Sequence, residues 1–377
     1  MNKCLTRTAC ILLIVALCTA GSWQAQAEEL PVSAGSAILM DRETRRILWE
    51  KNIHQARPVA SVTKIMTALL ALELGAEQEL VVVSPRAART GGSSIWLEQG
   101  EKKTLEELVY GLMLCSGNDA AVAIAEHLAG TVEGFASLMT CKARQLGAVN
   151  TYFTNPHGLP DDRHYSTAYD LALISCQALG NQKFRNIIST DCRIITWPGN
   201  PEGRFLNNQN RLLELYPGAD GIKTGWTKKA GRCLAGSATR NNWQLVTVVL
   251  DAPEMWEDTM RLLDYGYQTY LWEKIITAGQ PLAEVPVSGG EPGYVKMTAE
   301  QELSLPLLPG EKERLQYKWR MKKSYRPPIC GGEKLGELEL YLDNRKLCTV
   351  ELLAGHQVKK LSIWGHLVRL GRLMLGG

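Results

Sequence analysis

The chain has 377 residues, 45% hydrophobic and 21% charged, the balance of a folded protein with room for more than one domain and not of a disordered or collagen-like one. Lysine and arginine number 42 against 39 acidic residues, and the resulting +3 is too small a surplus for a nucleic-acid-binding surface. The six histidines (His54, His127, His157, His164, His356 and His366) form no H-E-x-x-H, no Cys/His cluster has zinc spacing, and no Gly-rich phosphate loop occurs, so neither a metal nor another cofactor is expected.

Lys3 and Arg7, the apolar run Ile11 to Leu17 and the small-x-small site Ala25-Gln26-Ala27 are the three parts of an export signal in order. The apolar run is too short to span a bilayer, so residues 1–27 are expected to be removed and the mature chain to begin near Glu28. Of ten cysteines, Cys4, Cys10 and Cys18 leave with the signal. An odd number stays without any C-x-x-C, and Cys330 and Cys348 share one small region and are candidates for pairing.

Ser36 to Met40 and Ile47 to Glu50 read as strands joined by a charged turn. Ile65 to Leu74, Leu105 to Leu114 and the Ala-rich Ala120 to Leu128 carry helical spacing. Strands return at Gly221 to Thr224, Cys233 to Ala238 and Gln244 to Leu250, and Arg261 to Tyr270 is again helical. Strands at both ends of a helical region predict one α/β domain over 28–277, whose sheet draws on both ends of the segment. From about residue 278, Gly and Pro punctuate short alternating segments, and Asp343-Asn344 lies between two of them as a hairpin turn, which predicts a small all-β domain over 278–357. The last part, 358–377, holds Lys359, Lys360, Arg369 and Arg372, no acid, and an apolar face with Trp364. That composition predicts a basic amphipathic helix lying in a lipid interface, the alternative being a helix docked on its own β-domain.

Three short motifs carry chemistry. In Ser61-Val62-Thr63-Lys64, Pro58 precedes and an apolar helical stretch follows, so Ser61 opens a helix and Lys64 lies one turn on, on the same face. A serine hydroxyl needs a base to become a nucleophile, and a lysine can serve only if burial and a second cation lower its pKa from about 10.4. Ser116-Gly117-Asn118 interrupts two helical segments and reads as a tight loop presenting polar side chains, or simply as a helix cap. Lys223-Thr224-Gly225 lies in a strand. Lys223 can supply the second cation and bind a carboxylate, Gly225 leaves room for a ligand backbone, and the bland alternative is an edge strand with a solubilising lysine.

Together, and in this order, the motifs form the S-x-x-K, S-x-N, K-T-G set of penicillin-recognising serine enzymes. With Ser116-Gly117-Asn118-Asp119-Ala120, Asn155-Pro156-His157-Gly158-Leu159 and Asp220-Gly221-Ile222-Lys223-Thr224-Gly225, the chain resembles the low-molecular-mass penicillin-binding proteins of the D-alanyl-D-alanine carboxypeptidase family over nearly its whole length. The resemblance implies the penicillin-binding-protein/serine β-lactamase-like transpeptidase fold, an antiparallel sheet flanked by helices plus a small C-terminal β-domain. It implies an exported enzyme at the outer face of the cytoplasmic membrane. That enzyme removes the terminal D-Ala from peptidoglycan stem pentapeptides and is acylated by β-lactam antibiotics. It implies Ser61 as nucleophile, Lys64 as base, Ser116 as proton relay, Asn118 at the substrate amide, and Lys223 with Thr224 at the terminal carboxylate. The backbone N–H groups of Ser61 and Trp226 would form the oxyanion hole. Trp226 stands where some relatives carry His, and His157 is expected to be structural. A class A β-lactamase is disfavoured because no E-x-x-L-N occurs between Ser116 and Lys223, where Glu202 and Glu214 lack that context. A D,D-endopeptidase on cross-links and a non-catalytic wall-binding relative remain the alternatives.

Overall fold

A continuous apolar run, buried along its length, makes β1 (Ser36–Asp41), which pairs antiparallel with β2 (Ile47–Lys51) at the start of the chain described by the computed structural model, which covers residues 30–362 and 364–365. The helical region follows as α1 (Lys64–Leu74), α2 (Leu105–Leu114), α3 (Asn118–Ala129), α4 (Val132–Gln145), α5 (Ala168–Leu179) and α6 (Gln182–Ile188). A hairpin then forms from β3 (Cys192–Trp197) and β4 (Asn200–Asn207). Next come β5 (Ala219–Thr227), β6 (Gly231–Arg240), β7 (Trp243–Leu250) and α7 (Met255–Thr269). The main sheet runs β2-β1-β7-β6-β5, all antiparallel, so the first two strands do join the last three across the helical insertion. This order leaves β5, which carries Lys223, at an edge.

Caps fix the helix starts. Thr104 and Glu107 close a reciprocal capping box on α2, and Thr131 and Thr167 accept N–H bonds at α4 and α5. α1 is apolar nearly all round and is buried from Lys64 through Ala71, so it forms the centre of the first core.

The second core is all-β. β8 (Leu271–Ile276) pairs with β11 (Leu303–Leu307), while β9 (Pro281–Pro286), β10 (Tyr294–Ala299), β12 (Leu315–Met321), β13 (Lys334–Leu342) and β14 (Arg345–Ala354) form a sheet in the order β9-β10-β14-β13-β12. Asp343 and Asn344 both adopt positive φ, 48° and 67°, between β13 and β14, the geometry of a two-residue hairpin turn. Because Ile276 joins the second core, the chain passes to this domain at Leu271, ahead of residue 278. No Gly or Pro separates Thr269 from Leu271, so nothing in the local sequence marks the change.

The two cores meet through Trp243 stacked on Trp272 at 5.4 Å, and through Arg46, which ion-pairs with Glu311 at 2.8 Å. Cys330 and Cys348 do not pair. Cys348 lies on β14 opposite Leu340, Cys330 is exposed in the turn after Ile329, and both are free thiols. Residues 1–27, expected to be an export signal, and most of the tail 358–377, expected to be a helix, lie outside the described residues. Among the described residues, Val358 bridges Ile329 and Lys359–Lys360 pairs as a short strand with Gly290–Glu291, so the expected helix does not begin at 358, and no helix is long and apolar enough to cross a membrane.

Candidate functional site

Ser61 sits in a four-residue 3-10 turn, Ala60–Thr63, that runs directly into α1. Ala60 enters the turn at φ 47°, and Gly158 closes over it so tightly that a Cβ there would run into the Ala60 carbonyl. One turn later, Lys64 is completely buried, and its Nζ lies 3.0 Å from Ser61 Oγ, 2.7 Å from Asn118 Oδ1 and 2.8 Å from the His157 carbonyl. Two of these three partners are pure acceptors. When Lys64 is neutral, its two N–H bonds go to Asn118 and His157. The lone pair is then left facing the one partner that carries a proton, the Ser61 hydroxyl.

The surroundings of Lys64 also shift it toward the neutral form. Burial holds the Lys64 pKa well below the usual lysine range, and the charge of Lys223 lowers it further against a smaller opposing effect of Asp119. Lys223 is 1% exposed on β5, and burial brings its own pKa down to about 8. The cation from far downstream therefore lies close enough to Lys64 to be felt. On the same strand, Thr224 is half-buried and Trp226 is exposed. A Cβ at Gly225 would come within 2.9 Å of the Ser61 nitrogen and 3.1 Å of the Val62 nitrogen. The missing side chain makes room for the Ser61 turn to pack on β5.

Ser116 is 4% exposed and held at φ 62° between α2 and α3. A left-handed non-glycine residue at such a place stores backbone strain. Asn118 is the first residue of α3, and the protein already engages both ends of its side chain. Oδ1 accepts from Lys64, and Nδ2 donates to the Gly91 carbonyl at 2.7 Å. One amide hydrogen and one lone pair remain for a ligand. His157 contributes its main-chain carbonyl to Lys64, while its ring accepts from the Leu159 N–H at 3.1 Å.

Two neighbours escaped the sequence reading. His164, 4% exposed, accepts at Nδ1 from the Thr154 N–H at 3.1 Å, so its proton is on Nε2, which donates to Thr63 Oγ1 at 2.8 Å. Burial lowers its pKa to about 4, which keeps it neutral. Asp119 accepts from Ser94 Oγ at 2.6 Å and from the Ile95 and Leu97 N–H groups at 3.1 and 3.0 Å, which ties the 91–97 loop to the start of α3. The only available sequence signal was its place directly after Asn118. Among the described residues, no group of three His, Cys, Asp or Glu side chains is arranged to hold a metal.

Comparison with known proteins adds to this geometry. Residues 23–254 match the D-alanyl-D-alanine carboxypeptidase family, and residues 270–360 match the C-terminal domain of penicillin-binding protein 5. The D-alanyl-D-alanine carboxypeptidase DacF of Bacillus subtilis is 35% identical over 342 residues, covering 88% of this chain and 87% of its own. The crystal structure of penicillin-binding protein 5 from Haemophilus influenzae superposes with a TM-score of 0.71 at 28% identity, over 87% of this chain and 98% of that one. Penicillin-binding protein 6B from Escherichia coli gives 0.65 at 29% identity, over 86% and 96%.

Proposed function

The chain belongs to the D-alanyl-D-alanine carboxypeptidase family, and on that premise we propose that it removes the terminal D-Ala from peptidoglycan stem pentapeptides through an ester on Ser61. The supporting observation is the Lys64 amine, buried, lowered in pKa and within 3.0 Å of the Ser61 hydroxyl. Ser61 Oγ attacks the carbonyl carbon of the penultimate D-Ala as its proton passes to Lys64 Nζ. The resulting oxyanion faces the Ser61 and Trp226 backbone N–H groups. The C–N bond then breaks, and the Lys64 proton, relayed by Ser116, leaves on the amine of D-Ala. Water attacks the ester as its proton goes to Lys64, the bond from the acyl carbon to Ser61 Oγ breaks, Lys64 returns the proton to Oγ, and the shortened peptide is released. Lys223, cationic below about pH 8, and Thr224 hold the terminal carboxylate that distinguishes this substrate from an internal peptide bond.

β-Lactams present an acyl group to the same serine and form a slowly hydrolysed ester there. The enzyme acts outside the cytoplasmic membrane, held at the outer leaflet by the basic segment from Lys359 to Arg372. The test is D-Ala release from a monomeric pentapeptide, run beside Ser61→Ala. Release by the wild type and none by the variant supports the reading. Cleavage of cross-linked dimer without release from monomer would make it an endopeptidase, and neither activity would make it a wall-binding protein.

A further inference from the structure

Trp96 is the most exposed large hydrophobic residue of the catalytic domain, 72% accessible, and it is anything but loosely held. Its neighbours Ile95 and Leu97 point inward, 2% and 4% exposed, with both N–H groups bound by the buried Asp119. Its own N–H donates to Ser94 Oγ at 2.8 Å, and its carbonyl accepts from Arg204 Nη2 at 2.8 Å. Arg204 is 4% exposed and pairs with buried Glu101 at 3.0 Å, which also contacts buried Lys103 at 3.2 Å. This clamp holds Trp96 at φ 62°, a conformation that a bulky residue rarely adopts.

The loop is also wired to the site. The Ser93 and Gly91 carbonyls receive the backbone and side-chain N–H groups of Asn118 at 2.8 and 2.7 Å, and Asn118 is the partner of Lys64. A strained backbone, a buried ion cluster and an outward indole thus occur together beside the Lys64–Asn118 pair. Packing does not require the ring, because it touches solvent. What it offers is a rigid, flat apolar face whose N–H rim stays polar.

We infer that Trp96 is a stacking platform for a sugar ring of the glycan that carries the stem peptide. The inference rests on the carboxypeptidase reading and names a second contact of the same substrate. Beyond its D-alanines the stem offers carboxylates, an amine and methyl groups, whereas a pyranose presents a flat face of C–H bonds that fits an indole. The stem is tied to that sugar through its first residue. Three residues in extended form span roughly 10 Å, the reach that a stem held at Ser61 gives its sugar.

The experiment compares KM for free pentapeptide and for disaccharide-linked pentapeptide in wild type, Trp96→Phe and Trp96→Asn, the last because asparagine tolerates the left-handed backbone. The wild type should favour the sugar-bearing substrate by about tenfold in KM, Phe should keep part of that preference, and Asn should erase it without lowering kcat. Peptide-free glycan oligosaccharide should quench or shift tryptophan fluorescence in the wild type and not in Trp96→Asn, and it should compete with the linked substrate. Equal KM for the two substrates in the wild type, or equal effects of Trp96→Asn on both, overturns the inference. Acylation of Ser61 by benzylpenicillin is measured in parallel. If it fails in the wild type, the carboxypeptidase reading falls, whereas the glycan fluorescence response stands or falls by itself.

Discussion

Lys64 and Lys223 lie at 0% and 1% exposure in the catalytic domain, and burial drives both ammonium groups toward the neutral form, Lys223 to about 8. In the C-terminal domain, Lys334 stands in solvent between Glu337 and Glu351, at 2.8 and 2.6 Å, and these carboxylates push it up to about 12. The same side chain is thus tuned in opposite directions by two separable causes. Removing water with no carboxylate near enough to compensate penalises the charge, whereas providing carboxylates in water favours it. The first arrangement is costly and yields a reactive amine near neutral pH, and the second costs little and contributes little. The catalytic domain therefore carries its unfavourable electrostatics where the chemistry is, and the β-domain has none of comparable depth at its lysines.

The most direct way to break this contrast is to remove the buried amine. Lys64→Met keeps the length and apolar packing of the stem, and it should slow acylation of Ser61 by benzylpenicillin by about 10²–10⁴-fold, the usual worth of a positioned base. Circular dichroism should confirm that the fold persists. Acylation within a few-fold of the wild type would mean that something other than Lys64 activates the serine.

A pH profile sharpens the same point. Acylation requires neutral Lys64 and, for a carboxylate-bearing substrate, cationic Lys223. kcat/KM should therefore fall as pH drops through the lowered Lys64 pKa and fall again above about 8 as Lys223 loses its proton. The two groups interact, so both limbs are properties of the pair. Lys223→Arg keeps the charge at all accessible pH values and should remove the alkaline limb at some cost in KM. An alkaline limb unchanged in that variant would assign it to another group.

His164 carries the same logic into stability. Its folded pKa of about 4 lies below the ordinary 6.5, so the unfolded chain binds more protons in that interval. The stability that neutral His164 contributes is complete above pH 6.5 and is lost as pH falls through 4, a change on the order of 3 kcal/mol. Urea midpoints measured across this interval should decline more steeply in the wild type than in His164→Gln. Parallel curves would place the acid sensitivity elsewhere.

How far the sequence reached follows from where each interaction lives. The Ser61–Lys64 spacing is local to one helical turn, and the main strands and the Asp343-Asn344 turn announce themselves by short apolar runs and turn residues, so all of these could be read directly. Helix α4 has Val132, Phe135, Ala136, Met139 and Ala143 on its buried face and a Thr131 cap, but Gly134 and Thr140 interrupt the pattern and hid it. His164 meets Thr63 across 101 residues of chain, and only the folded structure joins them. Gly225 shows a different limit. A glycine in a strand signals a close approach, but its letter does not say whether a ligand or the protein's own backbone approaches, and here the backbone does.

The smallest effect tests the other side of the contrast. In Lys334→Ala, two ion pairs vanish, yet the lysine side chain is 45% exposed and both carboxylates return to water that was already near them. Their pairing gain was offset by the entropy of holding long side chains in one geometry, and salt screens what is left. The thermal midpoint should therefore move by no more than about 1–2 °C, and penicillin acylation should keep its wild-type rate. A larger drop in the midpoint that disappears at high salt would show that the surface network around Lys334 holds β13 and β14 together. The C-terminal domain would then depend on its charges after all.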